Sequence, residues 1–270
     1  MENIKTFAQL LSDVKTKKPL VHHLTNYVTV NDCANIVLAL GGSPVMADDA
    51  GEVEEMVSIA SALVINIGTL NSRTIETMLL SGKKANQLGI PVVLDPVGAG
   101  ATALRSNTAA RLIQEVKLAV LRGNMSEIKV IAGIDARTRG VDSVDGGAGG
   151  VEVALSLAKR LGCTVAITGA QDIISDGSRT GLIANGTPLL SKITGTGCMA
   201  TSLIGCYAGV TADSYLAACA GLITMGLAGE KAATGFNQAQ GIGTYKVKLM
   251  DGIDQLTSED MIQGGKYSQI

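Results

Sequence analysis

With 270 residues, 22 basic and 24 acidic side chains and a formal net charge of −2, the chain is long enough for one large α/β domain or two small ones, and it carries no basic stripe suited to nucleic acid. Aromatic residues make up 3% of it and tryptophan is absent, so stacking platforms for bases or sugars are scarce. Five widely spaced cysteines without a C-x-x-C pair disfavour both a disulfide framework and a zinc site.

In chain order, Met1-Glu2-Asn3-Ile4-Lys5 leads into an amphipathic pattern and lacks the apolar centre of a signal segment, so a cytoplasmic protein is expected. His22 and His23, the two histidines, lack the further ligands of a metal site, and an ordinary loop or core role is expected for them. Ala62 to Ile67 reads as a buried strand closed by Gly68, followed by a helical stretch from about Ser72 to Gln87. Pro91-Val92-Val93-Leu94-Asp95 is the next strand, then a glycine-rich bend and a helix running through Ala109 to Glu115. Leu118 to Leu121 reads as a third strand, followed by Arg122-Gly123-Asn124 and a short helix. Val151 to Leu161 is helical and Thr164 to Thr168 is a fourth strand.

Continuous aliphatic strands alternating with helices predict an α/β fold with a mostly parallel sheet covered on both faces. After Thr168 the pattern changes. Asp172 to Gly177 and Thr180 to Gly186 have turn residues at hairpin spacing and predict an antiparallel edge. The uncharged apolar stretch between Asp213 and Glu230 falls short of the ~20 residues that cross a bilayer and reads as a buried helix, so no membrane role is expected. No linker, repeat or low-complexity tract interrupts the chain, which predicts one domain over residues 1–270.

Ligands of open α/β sheets sit beyond the carboxyl ends of the strands. Here those ends deliver Asn66-Ile67-Gly68-Thr69, Asp95 to Gly100, Arg122 to Glu127 and Thr168-Gly169. Past the edge strands comes Ile193-Thr194-Gly195-Thr196-Gly197-Cys198, opening into an apolar helix. Its glycines allow close approach to the backbone, and the unpaired N–H groups of a first helical turn can receive an anion. The same field is expected to favour the thiolate of Cys198. The loop is neither a P-loop nor a dinucleotide fingerprint, and on local pattern alone Cys198 could be apolar filler.

Together these pieces suit phosphoryl transfer, which needs charge neutralisation and positioning more than covalent chemistry. Asp95 and Glu127 are carboxylates able to hold Mg2+ directly or through its waters. Arg122 can grip phosphate oxygens. The N–H groups of residues 195 to 198, Gly197 among them, can face the transferred group, and Cys198 can take the proton of an attacking hydroxyl. A turn at Asp95-Pro96 and a surface ion pair between Arg122 and Glu127 are the plainer alternatives.

Several segments, in order from about residue 19 to 230, resemble the hydroxyethylthiazole kinase family of thiamine salvage, within the ribokinase-like superfamily. They are Pro19 to His22 with Thr25-Asn26, Ala39 to Met46, Asn66 to Leu70, Leu94 to Gly100, Arg122 to Ile128, and Gly195 to Cys198. The resemblance implies a ribokinase-like three-layer fold and ATP-dependent phosphorylation of the primary alcohol of 4-methyl-5-(2-hydroxyethyl)thiazole. It implies ATP contacts at Arg122, Thr168, Gly197 and Asn124, thiazole contacts at Met46, Gly195, Asn26 and Gly68, and Mg2+ managed by Asp95 and Glu127. Asn124 and Glu127 match the superfamily's Asn-x-x-Glu metal signature, and Cys198 stands where most sugar kinases of the superfamily carry an aspartate base. A homotrimer is implied, with Asn26, Met46 and Gly68 facing a neighbour's Cys198. Two segments depart from the family pattern: Thr29 to Cys33, and Gly241-Ile242-Gly243-Thr244-Tyr245 near the C-terminus. Another vitamin-precursor kinase such as one for hydroxymethylpyrimidine, a nucleotide-dependent NAD(P)H-hydrate dehydratase, and a non-catalytic nucleotide sensor are the competing readings.

Overall fold

The computed structural model describes residues 2–134, 148–236 and 240–270. Among the described residues nine strands form one sheet: β1 (Leu20–Leu24), β2 (Ser43–Val45), β3 (Ala62–Asn66), β4 (Val92–Asp95), β5 (Val120–Asn124), β6 (Thr164–Thr168), β7 (Asp172–Ser175), β8 (Thr180–Ile183) and β9 (Tyr267–Gln269). Their order is β2-β1-β3-β4-β5-β6-β7-β8-β9. Pairings from β2 through β6 are parallel. Those from β6 to β9 are antiparallel. The mostly parallel sheet with an antiparallel edge is as expected.

Both faces are covered, which is why the central strands read as unbroken aliphatic runs. On one face lie α1 (Glu2–Lys17), α2 (Val30–Leu40), α8 (Thr196–Ala208), α9 (Ser214–Ala233), α10 (Ile242–Asp254) and α11 (Ser258–Gly264). On the other lie α3 (Val53–Ile59), α4 (Ser72–Leu88), α5 (Ala103–Glu115), α6 (Met125–Ala132) and α7 (Ala148–Leu161). Residues of one strand divide between the two cores by alternation: Val64 packs with the first set of helices, Leu63 and Ile65 with the second. The stretch expected to fall short of a bilayer's span is part of the 20-residue helix α9, which is long and apolar enough to cross a membrane. Yet 78% of its apolar window is buried inside the protein, as expected of a buried helix. Its apolar character serves the core.

Two boundaries differ from expectation in a way that matters for the site. Strand β5 starts at Val120 and runs through Arg122, Gly123 and Asn124, because all five pair with β6, from Val120 opposite Thr164 to Asn124 opposite Thr168. The polar Arg122 is therefore a strand residue facing a core layer. Strands β1 and β2 precede the first strand of the periodicity reading, and β9 follows the last. Strands β2 and β9 are three residues each, too short to show a period. His22 and His23 lie buried in β1, and burial pulls His23 down to about 4, which leaves it a neutral bridge between the Val21 carbonyl and Ser202 Oγ.

Candidate active site

The carboxyl ends of β1, β3, β4, β5 and β6 carry one continuous row of polar side chains. Asn26 Nδ2 donates to Asn66 Oδ1 at 3.0 Å, and Asn66 Nδ2 donates to Asp95 Oδ2 at 3.0 Å. The same Asp95 oxygen accepts from Thr201 Oγ1 of α8 at 2.8 Å and from the Arg122 guanidinium at 3.5 Å. Arg122 continues the row to Thr168 Oγ1 at 2.5 Å. Parallel register puts these groups in line: Asn66 stands opposite Asp95 and Asn124 opposite Thr168.

Two buried polar atoms in this row have no partner among the described residues, Asp95 Oδ1 and Arg122 Nε. Burying polar atoms unpaired costs on the order of 1–3 kcal/mol each, and such atoms ordinarily take a partner such as water, an ion or a ligand. Burial pushes Asp95 upward, against the pull of Arg122 and Thr201. Arg122 pairs with Asp95 and not with Glu127, and both Arg122 and Glu127 are 8% exposed, so the surface ion pair is not formed.

The Asn-x-x-Glu segment folds as a capping box. Asn124 Oδ1 accepts from the Glu127 N–H at 3.0 Å, and Glu127 Oε2 accepts from the Asn124 N–H at 2.8 Å. Glu127 Oε1 also accepts from the Gly98 N–H at 2.8 Å, tying the loop after β4 to the start of α6. Arg105, from α5, extends that tie by donating to the carbonyls of Ile67, Gly68 and Val97. Sequence reasoning passed over Arg105 and Thr201, and placed Asn66 at the rim without giving it a role, because a side chain that holds a carbonyl or another side chain leaves no spacing signature.

Opposite the row stands the start of α8. Gly195 is its N-cap with φ +87°, and no side chain caps the helix, so its first-turn N–H groups face outward. A Cβ on Gly195 would run into Thr29 Cγ2. A Cβ on Gly197 would sit 2.6 Å from the Arg122 guanidinium, so the cation lies directly against the loop backbone. Arg122, Thr168 and Gly197 line a cleft of about 540 Å³ whose far wall includes Leu222 and Met225 of α9. Asp172 lines it as well, held by the Gly169 N–H and pushed up to about 6 by burial.

Cys198 lies buried in the first turn of α8, where Asn26 Nδ2 donates to its Sγ at 3.4 Å. Here the expectation of a favoured thiolate is corrected. Burial first, and the Asp95 charge second, push the thiol up, against the neighbouring polar side chains Thr29, Asn66 and Asn26, of which Asn26 makes the hydrogen bond. The helix field does not prevail over desolvation. Gly68 packs on Asn26, whose side chain a Cβ at Gly68 would meet at 2.9 Å. Asn26 therefore stands beside Cys198 of its own chain, with Gly68 packed behind it. Met46 follows β2 at the same rim, half-buried, two strands from Asn66. The other four cysteines are buried and unpaired.

The model of the hydroxyethylthiazole kinase family matches residues 11–259. The chain belongs to that family. It is 58% identical to the hydroxyethylthiazole kinase of Alkaliphilus oremlandii over the full length of both chains. The structure of a hydroxyethylthiazole kinase protein from Pyrococcus horikoshii matches it with a TM-score of 0.91 at 38% identity, covering 98% of this chain and 99% of that one. A ribokinase-like superfamily protein from Enterococcus faecalis shares the fold, with a TM-score of 0.64 at 11% identity over 90% and 89% of the two chains. Family membership makes the chain a phosphotransferase.

Proposed function

We propose that the chain transfers the γ-phosphoryl group of ATP to the hydroxyl of 4-methyl-5-(2-hydroxyethyl)thiazole, as one domain acting in the cytoplasm as part of a homotrimer. The observation that carries the reading is the Arg122 guanidinium lying against the Gly197 backbone at the edge of the 540 Å³ cleft, with the first turn of α8 and Cys198 just beyond it. A cation and a set of N–H donors meeting at one point suit a phosphoryl group in transit.

In this reading ATP lies in the cleft, with its phosphates held by Arg122, Thr168 and the α8 N–H groups, Gly197 included. Asn124 contributes through the capping box that sets the Glu127 carboxylate. The thiazole lies on the Cys198 side, against Gly195, Asn26, Gly68 and Met46, with a neighbouring subunit completing the pocket. The substrate oxygen forms its bond to the γ-phosphorus while the bond to the β,γ-bridging oxygen breaks, and ADP leaves with that electron pair. Cys198 orients the hydroxyl and receives its proton. In a loose transition state the proton leaves late, so a mild base suffices.

Mg2+ fits the residues present. Asp95 offers an oxygen without a partner, and Glu127 adds a second carboxylate whose oxygens each keep one lone pair. Among the described residues no three His, Cys, Asp or Glu side chains converge on one point, which suits an ion held chiefly by phosphates and water. Mg2+ would neutralise phosphate charge.

The test is ADP release from ATP and Mg2+ with candidate alcohols. Thiazole-dependent ADP supports the proposal, whereas turnover only with a pyrimidine alcohol, or none with any alcohol, overturns it. Cys198→Ser is expected to bind the thiazole and lose most turnover, and unchanged turnover removes Cys198 from the chemistry. Cys198→Asp restores the base of the wider superfamily and is expected to remain active.

A further inference from the structure

We propose that Asn66 is a positioning residue of this site: anchored by Asp95, it turns the Asn26 amide so that an N–H, and not a carbonyl, faces Cys198 Sγ. The directions of these bonds follow from groups that can act in one way only. Asp95 Oδ2, collecting donors from Thr201 and Arg122, is an acceptor, so Asn66 presents its NH2 there. The Gly68 backbone N–H can only donate, and at 2.9 Å it fixes the other end of Asn66 as the carbonyl oxygen. That oxygen takes one N–H of Asn26. The Thr29 backbone N–H, at 3.1 Å, likewise fixes Asn26 Oδ1 as an acceptor, and Thr29 Oγ1 donates to the same atom. The remaining Asn26 N–H has Cys198 Sγ as its partner.

Both amides are thus oriented twice, once by the row and once by a backbone donor. A hydrogen bond to the charged form of a group favours that form. The oriented N–H therefore opposes the burial and the Asp95 charge that disfavour the thiolate, and keeps the sulfur able to accept a proton.

The role in turnover rests on the phosphoryl-transfer reading, whereas the state of the sulfur does not, and the experiment separates the two. Without substrate, the iodoacetamide alkylation rate at Cys198 is measured at pH 8 by peptide mass spectrometry for the natural protein and for Asn66→Ala. Burial raises Cys33 to about 11 and Cys163 and Cys206 to about 12, so those thiols react little at this pH. Of the ionisable groups facing the sulfur, Cys33 is untouched in the variant, whereas Asp95 loses its Asn66 donor. That loss disfavours the Asp95 charge and eases its push on the sulfur, an effect opposite in sign to the slowing expected.

The expected result is alkylation slowed about threefold or more, since the thiolate is the reactive form. A merely structural loosening would open the pocket and speed the reaction. In steady state Asn66→Ala is expected to lower kcat about tenfold with KM for the alcohol within twofold, and to lower it less than twofold in a Cys198→Ala background. Asn66→Ser, too short to bridge Asp95 and Asn26, gives the same pattern if the alanine variant does not fold. Alkylation as fast as or faster than in the natural protein overturns the proposal, as does a kcat loss that persists in full without the sulfur. If the natural protein makes no thiazole-dependent ADP, the functional reading fails while the alkylation comparison still decides this one.

Discussion

Gly195→Ala isolates what the α8 loop demands of its sequence. The position has φ +87° and ψ 1°, where a side chain costs roughly 1–2 kcal/mol. The added methyl also runs into Thr29 Cγ2, and overpacking of this kind costs roughly 1–3 kcal/mol. The sum, about 2–5 kcal/mol, is the expected loss in urea unfolding at pH 7.5. The two parts separate in a double variant. Thr29→Ser deletes the clashing methyl but keeps the hydroxyl that donates to Asn26. Gly195→Ala combined with Thr29→Ser is therefore expected to regain about 1–3 kcal/mol relative to Gly195→Ala alone and to keep the conformational part of the loss. Gly195→Ala within about 0.5 kcal/mol of the natural protein, or no recovery in the double variant, refutes the reasoning.

Arg122→Lys keeps the charge but loses the planar fork that reaches Asp95 and Thr168 together. A loss of about 2–3 kcal/mol, or roughly 30- to 150-fold in kcat/KM for ATP, is expected, and a change below threefold contradicts the phosphate role. Glu127→Gln leaves the Gly98 N–H or the Asn124 N–H facing an NH2 group, with an expected loss of about 1–2 kcal/mol in metal-free unfolding. Equal stability would mean that Glu127 does not hold those loops together. For Asp172, raised to about 6, the folded state favours the neutral acid. Its contribution to stability is fully present below about pH 4 and lost as pH rises through about 6. Asp172→Asn does not titrate, so it is expected to be more stable than the natural protein by roughly 1–2 kcal/mol at pH 8, with the gap closing by pH 4. A gap of opposite sign, or one that ignores pH, refutes it.

What the sequence made legible was the set of residues that end strands. Asp95, Arg122, Thr168 and the Gly195–Cys198 loop each follow or finish an aliphatic run, and parallel strands in one sheet deliver such residues to a common rim. The hairpin after Thr168 was legible from turn residues at its corners, and β7 and β8 form it. Strand β9 was not legible, because three residues closing the β8 edge at the end of the chain carry no period. The 120–124 strand was read as ending at Leu121 since Arg122 breaks the apolar run. The guanidinium is tolerated there because Asp95 and Thr168, from the two neighbouring strands, supply its partners.

The state of Cys198 was misread for a different reason. Position in a first helical turn is a sequence property, and its field favours a thiolate by up to ~2 kcal/mol in a partly buried site. Burial and the nearness of Asp95 are properties of the assembled rim, and together they win. The same carboxylate that raises the thiol also holds, through Asn66, the Asn26 N–H that is among the groups lowering it. Asp95 thus acts on Cys198 with two signs, one through space and one through the amide row. Charge acts through space in every direction, but the amide row works only while Asn66 and Asn26 keep their orientation. The state of the sulfur is therefore set first by burial and the Asp95 charge, and moderated by side chains that include residues 26 and 66, some 170 and 130 positions earlier in the chain.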